Sequence, residues 1–240
     1  MCGPARDPAG PHMSDSARRV LIMSEPAFLT TTRSAYDSVA EEYAETFRST
    51  MQDNPLDRAM LDAFADLVKE AGSQPVLDAG CGPGRVTGYL HDRGLDAFGV
   101  DLSSEMLAVA RRERPSLRFE QGSLTALEVE DGTLGGLVSR CSIIHTPPEK
   151  LPDVFAEFHR VLAPGGHLML MFFASTDASQ LAWPFDHKVT LAYRLSIDRV
   201  AALLTDAGFT ETARLIEQPP EDSERGFEFA HFLVRRPPES

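Results

Sequence analysis

Asp78-Ala79-Gly80-Cys81-Gly82-Pro83-Gly84 is the stretch that decides the fold. It follows the apolar run Pro75-Val76-Leu77 and precedes a helical pattern through Val86 and Leu90 that stops at Gly94. Glycines between a strand and a helix allow a tight turn and a close approach of backbone to a ligand. Dinucleotide enzymes use a similar turn, so the turn alone is weak. Two acids narrow the reading. Asp78 ends the strand just before the first glycine, and Asp101 ends the next strand, Ala97-Phe98-Gly99-Val100-Asp101. A carboxylate at a strand end can accept both hydroxyl hydrogens of a ribose diol. Asp78, beside the turn itself, would repel a pyrophosphate and complement a cationic amino-acid tail through ordered water. The bland alternative is a purely structural turn with Asp101 solvated.

Outward from this unit the pattern alternates. Upstream, a helix from near Arg33 places Tyr36, Val39, Ala40, Tyr43 and Phe47 on one face. A second, Pro55 to Ala71, turns Met60, Leu61, Phe64 and Leu67 inward and has Gly72 past its end. Downstream, Ser103 or Ser104 caps a helix burying Met106, Leu107 and Ala110. Strands follow at Leu117–Glu120 and about Gly136–Cys141. Next come a helix with Leu151, Val154, Phe155, Phe158 and Leu162 inward, the turn Pro164-Gly165-Gly166, and a strand His167–Phe173. An irregular stretch, 174–194, precedes a helix Ile197–Ala207 and two strands, Thr210–Glu217 and Phe227–Val234, joined by the loop Pro219–Ser223. Strands alternating with helices imply an α/β fold, a parallel sheet covered on both faces.

The chain has 240 residues, which suits one domain on a prior of roughly 150 residues per domain. Residues 1–28 read as a poorly ordered arm rich in Pro, Gly, Ser and Arg, within which Val20-Leu21-Ile22-Met23 could dock. The N-terminus lacks the apolar core of a signal peptide, and no apolar run is long enough to span a bilayer. Three separated cysteines, Cys2, Cys81 and Cys141, make neither a disulfide framework nor a zinc motif and fit a reducing cytoplasm. A net charge of −13 disfavours nucleic acid and anionic membranes as partners.

Four pieces in order carry a resemblance: Tyr36-Asp37-x-Val39-Ala40-x-x-Tyr43; Val76 to Gly84; Val100-Asp101-Leu102-Ser103-x-x-Met106-Leu107; and Arg160-Val161-Leu162-Ala163-Pro164-Gly165-Gly166. From about Tyr36 onward the chain resembles the class I S-adenosylmethionine-dependent methyltransferases, in particular bacterial small-molecule and natural-product members. The resemblance implies a seven-stranded, mostly parallel, doubly wound Rossmann-like sheet of order 3-2-1-4-5-7-6, with strand 7 antiparallel and the cofactor across the C-terminal strand ends. It implies a methyltransferase domain over residues 29–240, with cap helices at 29–72 and a substrate lid at 174–195. S-adenosyl-L-methionine would be the cofactor and S-adenosyl-L-homocysteine the product. Asp78, Gly80, Cys81, Gly82 and Gly84 would line the methionine and ribose, with Arg140 nearby. Asp101 would hold the ribose hydroxyls, Leu102 and Met106 would flank the adenine, and Gly122-Ser123-Leu124 would meet its edge. Ser123 stands where many relatives carry an acid, which shifts that contact toward backbone. Tyr36 would close over the cofactor, or simply pack in the core. Gly135-Gly136 replaces an acid common early in the fourth strand, a departure read as neutral.

Methyl transfer from a sulfonium is an in-line displacement activated by the cofactor. The protein supplies alignment, worth roughly 7–11 kcal/mol at best. After the fourth strand comes Ser139-Arg140-Cys141-Ser142-Ile143-Ile144-His145-Thr146-Pro147-Pro148. His145 is the leading general-base candidate, since neutral imidazole is available at pH 7; the alternative is a histidine that only bonds backbone. Cys141 reads as a structural thiol. The later segment holds the single tryptophan, and Trp183, His187 and Tyr193 are expected in the acceptor pocket, with His187 a second catalytic candidate. Arg140 or Arg194 could meet an acceptor carboxylate. No metal is expected. The partner expected is a small-molecule acceptor methylated on O, N or an electron-rich C, with the chain a monomer or homodimer.

Three rivals remain. A nucleic-acid methyltransferase would carry Asn/Asp-Pro-Pro-aromatic after the fourth strand, where this chain has Ser139-Arg140-Cys141-Ser142. A nicotinamide oxidoreductase fits poorly with Asp78 ahead of the turn. A cofactor-binding regulator without catalysis is the third.

Overall fold

The computed structural model describes residues 25–48, 54–72, 74–219 and 225–239. The expected arm over residues 1–24, with Val20–Met23, and the loop residues 220–223 lie outside these.

The sheet core follows from strands of period 2 that are buried along most of β1, β2, β4 and β5. Strands β1 (Val76–Ala79), β2 (Ala97–Asp101), β3 (Phe119–Gln121), β4 (Leu134–Arg140) and β5 (Leu162–Ser175) run parallel in the order β3-β2-β1-β4-β5. Strand β9 (Glu228–Arg235) pairs antiparallel with β5, and β8 (Thr210–Glu217) antiparallel with β9. The anticipated 3-2-1-4-5-7-6 order is therefore present as β3-β2-β1-β4-β5-β9-β8, but among the described residues the sheet has nine strands, not seven. The two additional strands come from the stretch expected to be irregular. Ala182–Asp186 (β6) and Leu191–Ser196 (β7) form an antiparallel hairpin, and β7 joins the sheet through Ala174 and Ser175 at the end of β5.

Side chains alternate between two cores. Leu77, Leu137, Leu168, Leu170, Phe172 and Phe232 face helices α5 (Leu151–Val161) and α6 (Ile197–Asp206). Val76, Val138, Met169 and Leu233 face α2 (Pro55–Ala71) and α3 (Arg85–Asp92). Burying so continuous a set of aliphatic and aromatic groups is the main term holding the layers together. The Gly135-Gly136 pair has a packing reason: a Cβ on Gly136 would stand 2.7 Å from the Phe64 ring and 2.8 Å from Val68 of α2. Helix α2 is capped by Asn54, whose side chain accepts from the Leu56 and Asp57 N–H groups, with Pro55 at its first position.

Helix α1 (Ala27–Thr46) begins well before Arg33, so Ala27 and Phe28 belong to it rather than to the arm. Phe47 lies just past its end and is exposed, not inward. Helix α1 lies on α4 (Ser104–Glu113), burying Ala40 and Ala44 against Met106 and Val109. Strand β5 starts at Leu162, five residues earlier than expected; the Pro164-Gly165-Gly166 turn is absorbed into it, with a register irregularity against β4.

Candidate active site

The C-terminal ends of β1, β2 and β4 open into one cleft. Gly80 and Gly82 from the β1 turn, Asp101 and Leu102 after β2, Met106 of α4, and Gly122-Ser123-Leu124 after β3 line it. Arg140, Cys141, Ser142 and His145 follow β4 on another side, and α1 covers the cleft with Phe28, Leu29, Arg33, Tyr36 and Tyr43. A site outside the carboxyl ends of a parallel sheet is where open α/β folds bind ligands.

Each carboxylate oxygen of Asp101 accepts one backbone N–H: Oδ2 from Gly82 at 2.8 Å and Oδ1 from Ser103 at 2.8 Å. An ionised carboxylate has about four acceptor positions, so lone pairs remain for hydroxyl donors. Burial pushes its acidity weaker, opposed by the Ser103 and Gly82 bonds. Gly82 has open space where a Cβ would stand, at φ +52°. At Gly80 (φ +81°) a Cβ would fall 2.2 Å from the Ser142 Cβ, so only glycine lets the β1 and β4 turns meet.

Asp78, Cys81 and Gly84 stand behind this surface rather than in the cleft wall. Asp78 is buried, its Oδ2 accepting from the Thr87 hydroxyl at 2.7 Å, and burial raises its pKa to about 7. Cys81 packs with Leu107, Ala110 and Phe119, and a Cβ on Gly84 would press on Phe119 at 2.7 Å. These two positions serve the contact between turn and α4.

On the β4 side, the Tyr36 hydroxyl lies 2.8 Å from His145 Nε2, and His145 Nδ1 lies 2.9 Å from the Leu191 carbonyl oxygen. Burial lowers the His145 pKa below the ordinary imidazole value, with the Leu191 bond opposing. Burial likewise drives the Tyr36 phenol far above its usual acidity range. His187 sits behind His145, ring centroids 5.2 Å apart, beside Phe173 and Phe185, and does not line the cleft. Its pKa falls to about 4 by burial and proximity to His145. Trp183, Tyr193 and Arg194 also lie outside the cleft wall. The Arg194 guanidinium lies over the Trp183 and Phe227 rings, and Tyr193 packs against the α5–α6 core. The lid over the cleft is α1, and the 174–195 segment supports His145 from behind.

Three residues that sequence reasoning passed over organise the site. Asp37 Oδ1 accepts from the Ser103 hydroxyl at 2.6 Å and the Glu105 N–H at 3.2 Å, tying α1 to the start of α4, while Ser103 caps Met106. Arg33 adds a bond from Nε to the Leu102 carbonyl. Asp57, fully buried in the first turn of α2, pairs with Arg140. Asp37 lay inside a quoted motif, but nothing in the sequence pairs it with Ser103. No cluster of potential metal ligands occurs among the described residues, and no helix there is long and apolar enough to cross a membrane.

Residues 76–166 match a family model described as a methyltransferase domain. An uncharacterized methyltransferase of Synechocystis is 30% identical over 57% of this chain and 67% of that protein. The chain belongs to the S-adenosylmethionine-dependent methyltransferase family. A malonyl-[acyl-carrier protein] O-methyltransferase of Enterobacter lignolyticus is 30% identical over 61% of the chain and 58% of the relative. The match thus spans little more than half the length of that relative. Among solved structures, a Burkholderia thailandensis 1,6-didemethyltoxoflavin-N1-methyltransferase, holding its substrate and S-adenosylhomocysteine, superposes with a TM-score of 0.66. It has 24% identity and covers 90% of this chain and 92% of that one. This structural likeness is one of fold.

Proposed function

We propose that this methyltransferase-family chain binds S-adenosylmethionine in the cleft and methylates a small molecule at its α1–His145 end. The observation that supports this best is the floor of the cleft: Gly80 and Gly82 beside a carboxylate, Asp101, that is anchored by two backbone N–H groups yet keeps free lone pairs. That acceptor set suits a ribose diol and a cationic nucleoside and opposes a pyrophosphate. Leu102 and Met106 would face the adenine, and the backbone at Gly122-Ser123-Leu124 its edge. Bound there, the cofactor would supply a sulfonium-activated methyl group.

The chain's own contribution is proton handling and exclusion of water. The Leu191 carbonyl can only accept, so His145 Nδ1 carries the ring proton and Nε2 presents its lone pair to Tyr36. Tyr36 Oη donates to Nε2 and can accept a hydrogen bond from an acceptor hydroxyl or amine. As the nucleophile is alkylated, its proton passes to Tyr36 Oη while the phenol proton passes to His145 Nε2. The raised phenol pKa favours this concerted relay over a free phenolate. Acceptors on O, N or an electron-rich C are all compatible.

The test is calorimetric titration with S-adenosylhomocysteine and, separately, NAD, followed by an acceptor screen with methyl-labelled cofactor. Binding of S-adenosylhomocysteine alone and labelled product are expected. Preference for NAD would overturn the cofactor; tight nucleoside binding with no transfer would favour a regulatory binder.

A further inference from the structure

Arg140 enters the cleft from the end of β4 with its guanidinium spoken for on one side only. Nε and Nη2 both reach a single oxygen of Asp57, Oδ2, at 2.8 and 2.7 Å. Asp57 has no exposed surface, and its Oδ1 has no hydrogen-bond partner. Isolated burial of a carboxylate and a guanidinium is costly and is tolerated when they pair. Arg140 also keeps about a fifth of its side chain accessible and lines the cleft next to Gly80, Gly82 and Tyr43. The planar fork therefore has its Nε edge held by Asp57, and its Nη1 side remains for a ligand. Arg194, the other arginine considered for an anion, lies over aromatic rings away from the cleft.

We propose that Arg140 recognises a carboxylate bound in the cleft, with Asp57 as its positioning residue. This rests on the reading of the cleft as a nucleoside site. Two sources share the chemistry: the amino-acid carboxylate of the cofactor, and a carboxylate on the acceptor. A guanidinium holds a carboxylate by charge-assisted, directional hydrogen bonds. Losing its orientation weakens that recognition even when the charge remains.

The experiment measures binding to the full chain of S-adenosylhomocysteine, of its decarboxylated analogue, which keeps the amine, and of benzoate. Arg140→Gln, Asp57→Ala, Asp57→Asn and the paired Asp57→Asn/Arg140→Gln variant are compared with wild type. The paired variant removes both charges together and keeps the test available if Arg140→Gln does not fold. If the cofactor is the source, wild type prefers S-adenosylhomocysteine over the analogue by tenfold or more. Arg140→Gln or the paired variant erases the preference, with analogue affinity unchanged. If the acceptor is the source, the two nucleosides bind alike, and benzoate binds nucleoside-loaded wild type but not the Arg140 variants. In either case Asp57→Ala loses the carboxylate effect and Asp57→Asn, whose amide oxygen can still accept from Nε, retains most of it. Nucleoside preference and benzoate binding that are indifferent to Arg140 would overturn the proposal. So would Asp57 variants that lower Tm without touching either readout. Wild-type protein that binds neither nucleoside would instead refute the reading of the cleft itself.

Discussion

Tyr36 and His145 share one hydrogen bond of 2.8 Å across the seam between the N-terminal helix and the turn after β4, and Leu191 fixes which atom donates. With Nδ1 committed to a carbonyl, the imidazole is held neutral with its basic nitrogen toward the cleft lid. Burial lowers the pKa of that nitrogen. Activity that needs it unprotonated is therefore complete at pH 7 and is lost only as pH falls through a value below the ordinary ~6.5 of histidine. For an acceptor that must lose a proton, His145→Ala is expected to cut kcat by about 10²–10⁴-fold and to abolish the acid limb of the profile. If the proton passes through both groups, Tyr36→Phe and the double variant should fall to a similar level, because members of one relay are not additive. Single-turnover rates with labelled cofactor check this. Multiplying losses in the double variant would exclude the relay.

The two cleft glycines should fail in different ways. Gly80→Ala places a Cβ 2.2 Å from that of Ser142, whose hydroxyl bonds the Ala79 carbonyl at 2.8 Å and Ser139 at 2.5 Å. Left-handed strain of about 1–2 kcal/mol adds to overpacking of about 1–3 kcal/mol. A Tm drop is therefore expected without ligand. Gly82→Ala meets nothing within 4 Å. It carries the same left-handed strain, at φ +52°, but none of the overpacking, so it should lose less stability than Gly80→Ala and lose nucleoside affinity, because its methyl occupies the cleft. Tm with and without S-adenosylhomocysteine separates the cases; equal loss of stability in both would contradict this account.

The contrast shows what the sequence carries. The glycine turn, the strand-ending Asp101 and the alternation of strands and helices are local patterns, and they carried the α/β class; the sheet order came from the family resemblance rather than from the patterns themselves. What escaped was non-local or disguised. Asp57 finds Arg140 across 83 positions and Asp37 finds Ser103 across 66, and no periodicity links such pairs. The β6–β7 hairpin hid because Pro184 interrupts β6, and Asp186 and Arg194 spoil the apolar alternation by which strands are recognised. The family resemblance implied a ligand-facing Gly84, yet Phe119 and Ala110 are what forbid a side chain there.

His187 makes stability depend on pH. Its pKa is about 4 in the folded chain, and its Nδ1 is buried without a partner. The unfolded chain takes up the proton near 6.5. Between these values the unfolded state binds more protons, so stability is full above ~6.5 and falls as pH drops toward ~4. Allowing for partial exposure, the share of His187 is on the order of 1–2 kcal/mol. His187→Phe, an aromatic ring among Phe173 and Phe185, should therefore lose less Tm than wild type between pH 7 and 5. Parallel Tm curves for the two proteins would show that His187 takes no part.

Asp37 should govern how firmly the lid helix closes. Its Oδ1 takes the Ser103 hydroxyl and the Glu105 N–H at once, beside Leu102 and Met106 on the cleft wall. Hydrogen bonds to a charged acceptor contribute roughly 1.5–3 kcal/mol. The Ala40, Ala44, Met106 and Val109 contact remains when they are lost, so α1 should loosen rather than detach. Asp37→Ala is then expected to weaken S-adenosylhomocysteine by about tenfold, mainly through faster dissociation. Because Asp37 bonds Ser103 and Glu105 and takes no part in the Tyr36–His145 bond, kcat at saturating cofactor should stay near wild type. Stopped-flow dissociation rates beside steady-state kcat decide the matter. A fall in kcat with unchanged nucleoside release would mean that Asp37 shapes the reacting geometry instead of the lid.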